Sequence, residues 1–164
     1  MKILAALILI FCGFLTGLEL KKRLELRVRF LEECEAACVR LEGMIGFESA
    51  PLGELLPRIN DSFGLFCGSA ERMNKGSDFP GAWESALDGC KAAGHLTISE
   101  RQAVAEIGRR LGRCGREAER ENLRSARMRV HEEYEKAYSE YSQKCKVYFV
   151  CGSLGGMLCA LVLI

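Results

Sequence analysis

Charge is confined to the middle of this chain: residues 3–18 and 147–164 contain no charged side chain, whereas every acidic residue, and every basic one except Lys2, falls between them. The first uncharged run would make a helix of roughly 24 Å at 1.5 Å per residue, against a hydrocarbon core of ~30 Å, and Met1, the stem of Lys2 and Leu20 extend it. Lys2 is a thin basic lead, and no small-x-small pattern closes the run, so it reads as a retained anchor and not as a cleaved signal. The second run, preceded by Lys144 and Lys146, reads the same way. The pattern therefore predicts a membrane segment at 1–18, a water-exposed domain at 19–146 and a second membrane segment at 147–164.

Within the middle, apolar positions recur at helical spacing. Leu24, Val28, Leu31, Cys34, Cys38, Leu41 and Ile45 follow three- and four-residue steps, so the first anchor should run on as one amphipathic helix until Gly43 and Gly46 end it. Pro51 opens a second helical region carrying Leu52, Leu55, Ile59, Phe63, Phe66, Ala70 and Met73, with an interruption and a new N-cap near Asn60 and Asp61. Residues 74–77 read as a turn. Asp78 and Pro80 then open a unit with Trp83, Ala86, Leu87 and Cys90 on one face, where Trp83 is a core anchor. Thr97 and Glu100 have capping-box spacing ahead of Val104, Ile107 and Leu111, and Gly108, Gly112 and Gly115 mark a close contact followed by a turn. From about Arg116 a last helix shows Leu123, Ala126, Val130, Tyr134, Ala137, Tyr141, Cys145 and Tyr148, leading without a break into the second apolar run. The fold class is all-α: a helical bundle in which two long antiparallel helices continue into the membrane segments, with short helices between them.

Composition narrows the function. With 23 basic and 22 acidic residues in all, and Lys2 set aside, the middle is formally neutral, which argues against a domain that neutralises nucleic acid phosphates. The nine cysteines are scattered without a C-x-x-C pair, and only His95 and His131 could join them in a metal site. Cys34, Cys38, Cys67, Cys90, Cys114 and Cys145 sit at or near helical core positions, so they read as reduced thiols in a reducing compartment. No nucleophile with its base and no phosphate loop can be assembled, and the expectation is a non-enzyme without metal or cofactor.

Two features remain as candidate binding elements. Eight arginines crowd positions 109–129, and Arg116, Arg120, Arg124 and Arg127 share a helix stripe beside the apolar seam. That stripe is either a solvated face laced by Glu117 and Glu121 or a docking face for an acidic partner. Gly13 with Gly17 and Gly152 with Gly156 have the G-x-x-x-G spacing that lets apolar helices approach closely in lipid. Basic residues flank each run on the domain side, Lys21, Lys22, Arg23, Arg27 and Arg29 at the first, so the domain is expected in the cytoplasm with both termini across the membrane.

Residues 16–19 (Thr-Gly-Leu-Glu), 50–52 (Ala-Pro-Leu), 82–87 (Ala-Trp-Glu-Ser-Ala-Leu) and 108–112 (Gly-Arg-Arg-Leu-Gly), in this order between two apolar ends, resemble the stage III sporulation protein AB family. One departure is visible: after the Leu-Gly pair the family tends to show an acidic residue and, four positions on, a Gln, where this chain has Gly115 and Glu119. The resemblance implies a platform subunit of the secretion-like channel between mother cell and forespore, similar to the inner-membrane platform proteins of type II secretion and type IV pili. It further implies the ATPase stage III sporulation protein AA and other channel membrane subunits as partners, a setting in the mother-cell membrane facing the forespore, and the possibility of a homo-oligomer. The alternative is a membrane-tethered helical scaffold with an unrelated partner.

Overall fold

The computed structural model describes the backbone of residues 2–48, 50–112 and 115–163, and the side chains of 11–48, 50–112, 115, 117–145, 147 and 150. Every element among them is helical: α1 (Lys2–Phe47), α2 (Leu52–Leu55) continued by a 3-10 turn (Leu56–Arg58), α3 (Leu65–Asn74), α4 (Phe79–Gly89), a second 3-10 turn (Ala92–His95), α5 (Ile98–Arg110) and α6 (Arg116–Leu163). The chain divides into two compact units, one made of Met1–Leu26 with Ala137–Ile164 and the other of Arg27–Lys136.

In the unit Arg27–Lys136, α1 and α6 run antiparallel, since Glu35 meets His131, Glu42 meets Arg127 and Gly46 lies under Arg120. The seam between them is the predicted one. Val28, Leu31, Cys34, Cys38, Leu41 and Ile45 are buried from α1, and Leu123, Ala126 and Val130 from α6. Enclosing each large aliphatic side chain contributes about 1.5–3 kcal/mol. Gly43 and Gly46 do not stop α1, which ends only at Phe47; glycine weakens a helix interior by about 1 kcal/mol, and the seam outweighs that here.

The segment after α2 is held by α1. Arg40 donates to the Asn60 carbonyl at 3.0 Å, the Ser62 amide donates to Glu33 at 2.9 Å, and the rings of Phe30 and Phe63 stand 5.1 Å apart. The expected cap at Asp61 is present in a different register. Gly64, at φ +67°, is the residue that precedes α3, and Asp61 reaches forward so that its Oδ2 accepts from the Leu65 amide at 2.5 Å and the Phe66 amide at 3.3 Å. Carboxylates are favoured there because the first helical amides lack intrahelical partners.

Helix α4 packs between α3 and α5. Trp83 is its anchor, 1% exposed, with its ring edge-on to Phe66 at 4.9 Å and its indole N–H donating to the Val104 carbonyl at 3.0 Å. The glycine at 108 is required by this contact, because a Cβ there would stand 2.3 Å from Trp83 Cδ1. The capping box forms as predicted, and Glu100 does more than cap. Its Oε2 accepts from the Thr97 amide at 2.8 Å while its Oε1 accepts from Arg27 at 2.6 Å, tying the start of α5 to α1.

In the unit Met1–Leu26 with Ala137–Ile164, Thr16 Oγ1 donates to the Gly13 carbonyl at 2.9 Å, and Glu19 pairs with Arg23 at 3.5 Å. Among the described residues no helix is long and apolar enough to cross a membrane. The two segments expected to span, 1–18 and 147–164, fall largely on residues whose side chains lie outside the described set. Where side chains are described, large apolar ones face outward: Phe11 is 62% exposed, Leu15 47%, Val147 54% and Val150 49%.

Candidate docking surface

The eight arginines separate into two groups once folded. Arg113 and Arg116 lie outside the residues with described side chains. Arg127 is half-buried, with its Nε 3.7 Å from Glu42 on α1. Arg120 lays its guanidinium over Gly46, at 3.6 Å from where a Cβ would stand, and it lines a shallow cavity of about 190 Å³ with Arg124, Glu42, Glu117 and Glu121. The predicted stripe is therefore interleaved with three acids. Glu117 and Glu121 are visible at helical spacing; Glu42 comes from α1, and no local pattern announces it.

Arg109, Arg110 and Arg129 gather instead around a single acid. Glu106 Oε1 lies 2.5 Å from Arg110 and its Oε2 2.6 Å from Arg129, while Arg110 also donates to Ser125 Oγ at 3.1 Å. With Gln102 these residues line a cavity of about 460 Å³. Arg109 is exposed and has no ion pair among the described residues. This concentration was missed in the sequence because it joins α5 to α6 across the turn.

A third concavity, of about 500 Å³, is lined among others by Pro51, Leu52, Asp78, Phe79, Gly112 and Glu119. Gly112 adopts φ +82° and a Cβ there would meet Phe79 Cβ at 3.2 Å, so both conformation and space call for glycine. Glu119 Oε1 accepts from the Gly112 amide at 3.0 Å.

The titratable groups are spread apart. His131 Nδ1 is 3.0 Å from Glu35 Oε2, and that hydrogen bond, with the carboxylate charge, raises the His131 pKa above 6.5. Burial pushes the Cys38 thiol up to about 12 and raises Cys34 as well, so neither presents a thiolate near neutral pH. Cys67, expected near the core, is exposed: it falls on the outer face of α3 while Phe66, Ser69 and Ala70 turn inward. Among the described residues no group of three His, Cys, Asp or Glu could hold a metal ion. Gly13 and Gly17 are half-buried on α1; the surroundings of Gly152 and Gly156 lie outside the described side chains.

The family model for Stage III sporulation protein AB matches residues 2–164. The chain belongs to the stage III sporulation protein AB family. A solved structure of Stage III sporulation protein AB (SpoIIIAB) has the same fold, with a TM-score of 0.61 at 24% identity over 71% of this chain and 97% of that one. No curated protein matches the chain by sequence. Membership in the stage III sporulation protein AB family gives the chain a sporulation-related role. Three of the four stretches that carry the family resemblance also meet in space: Gly108 closes on Trp83 of the 82–87 stretch, while Pro51 and Leu52 line one cavity with Gly112.

Proposed function

We propose that this chain is a non-enzymatic membrane platform subunit of the sporulation channel between mother cell and forespore, whose helical domain docks a cytoplasmic ATPase and couples it to the other channel subunits. The observation that carries the anchoring is the unit formed by the two chain ends. It brings two uncharged runs together and turns Phe11, Leu15, Val147 and Val150 outward, where water would penalise them and lipid would not. The basic flanks favour the cytoplasmic side for the domain, which on this reading is the mother-cell cytoplasm beneath the membrane facing the forespore. Gly13, Gly17, Gly152 and Gly156 offer surfaces on which helices of the channel subunits or of a second copy can pack.

The docking is carried by the arginine-bearing side of α5 and α6, since a formally neutral domain with clustered arginines favours an acidic protein surface over nucleic acid. Full-length protein in detergent should capture the sporulation ATPase stage III sporulation protein AA, and a reporter that works only in the cytoplasm should be silent when fused after Ile164. An active fusion would overturn the topology. Failure to capture the ATPase, with capture of another component, would leave a membrane-tethered scaffold.

A further inference from the structure

We propose that the pocket formed by Arg109, Arg110 and Arg129 around Glu106 is where an acidic segment of a partner protein binds, and that the arginine stripe of α6 is not. The proposal deepens the docking reading above and rests on it.

Charge balance decides between the two surfaces. Around the stripe, Arg120 and Arg124 share their cavity with Glu42, Glu117 and Glu121, and Glu42 also stands 3.7 Å from Arg127. An approaching carboxylate meets three like charges in that cavity. In the other pocket one acid, Glu106, faces three arginines. Glu106 grips Arg110 and Arg129 at 2.5 and 2.6 Å, and Ser125 fixes Arg110 from the far side. Two guanidinium groups are thus held in place before any ligand arrives, which lowers the ordering cost of binding. Arg109, exposed and without an ion pair among the described residues, supplies the open donor fork for a bidentate carboxylate contact.

The occupant follows from the chemistry of the donors. Arg109 and Arg110 lie at the last turn of α5 and Arg129 on α6. Three donors spread over two helices suit separate carboxylates on one peptide better than a single compact anion. Glu106 in the pocket also opposes a doubly charged phosphate more than a single carboxylate.

The test uses full-length protein in zwitterionic detergent and a fluorescein-labelled octaglutamate peptide, with binding read by anisotropy. Arg109→Glu and Arg124→Glu change the charge equally, so a general loss of positive charge affects both alike. The expected result is that Arg109→Glu weakens peptide binding roughly tenfold and Arg124→Glu less than about twofold. Wild-type binding should also fall as salt shortens the screening length from ~10 Å at 0.1 M to ~3 Å at 1 M. Equal weakening by the two variants, or no binding by the wild type at low salt, would overturn the proposal. So would anionic lipid vesicles that bind more tightly than the peptide and depend on Arg109. Both substitutions are on exposed side chains, and a melting curve on each preparation confirms the fold. Because the peptide assay is independent of topology and of the ATPase, a negative capture experiment with a positive peptide result would sink the platform reading and leave the site standing.

Discussion

Replacing Gly108 by alanine tests the contact through which α4 and α5 close on one another. The new Cβ would stand 2.3 Å from Trp83 Cδ1, 2.4 Å from Cγ and 2.6 Å from Cβ, where carbon atoms in contact ordinarily sit ~3.5–4.0 Å apart. Since the Cβ of Trp83 is among the three, turning the ring cannot clear the clash, and the α4 backbone has to move. That movement is opposed by the bond from Trp83 to the Val104 carbonyl and by Phe66 and Phe79 packed against the indole. Two effects compete. Alanine improves helix propensity by about 1 kcal/mol over glycine, whereas overpacking costs about 1–3 kcal/mol and more when backbone must shift. With three contacts well inside van der Waals range the second wins, for a net loss of about 2 kcal/mol. In a chain of this size that lowers the melting temperature by about 4–8 °C. Circular dichroism melts of the full chain in detergent measure it. Gly43→Ala is the comparison, because no atom lies within 4 Å of its Cβ and it sits inside α1, so it should be neutral or stabilising. A Gly108→Ala protein that melts at or above the wild type would refute the close-contact reasoning.

Two further outcomes are expected. Glu100→Gln keeps an oxygen for the Thr97 amide but strips the charge from a side chain 1% exposed and so weakens the ion pair with Arg27; the domain should lose up to ~3 kcal/mol, and Arg27→Met combined with Glu100→Gln should melt closer to wild type than Glu100→Gln alone. His131 has its pKa raised in the folded state by Glu35, with Glu135 acting in the same direction and Arg127 against it, so its contribution is present below the ordinary 6.5 and is lost as pH rises through the raised value; melting temperature should decline across that interval in the wild type, and His131→Gln should remove that part of the slope.

Much of the fold could be read from periodicity because the long helices bury one face each. The α1 series from Val28 to Ile45 and the α6 series at Leu123, Ala126 and Val130 need only the 3.6-residue repeat and one neighbouring helix. The capping box was equally local, since Thr97 and Glu100 stand three apart. What lay beyond reach depended on partners distant in the chain. Glu100 takes Arg27 from 73 residues away, and Glu42 neutralises an arginine face whose own helix offers only Glu117 and Glu121. For the same reason the gathering of Arg109, Arg110 and Arg129 around Glu106, divided between two helices, could not be told apart from the rest of the arginine-rich run. Cys67 was misplaced because an apolar residue beside Phe66 satisfies a coarse pattern, although the buried face of α3, Leu65, Phe66, Ser69 and Ala70, follows the helical repeat and passes Cys67 by.

The antiparallel pairing of α1 with α6 also fixes an order of events during synthesis. Glu35 and His131 are 96 residues apart, so at roughly 5–20 residues per second the first helix waits on the order of 5–20 s for its mate to be made. Through that interval Leu31, Cys34, Cys38 and Leu41 have no α6 to cover them. The inner helices need no such wait: Phe66, Trp83 and Gly108 come from neighbouring stretches and can close on one another as they emerge. The nascent chain therefore assembles from the inside out, with the α6-facing side of α1 left open until residues near 131 have been made. A ribosome stalled before about residue 130 would present that face to chaperones, and termination upstream of α6 would leave a product with a nucleus but no closed domain.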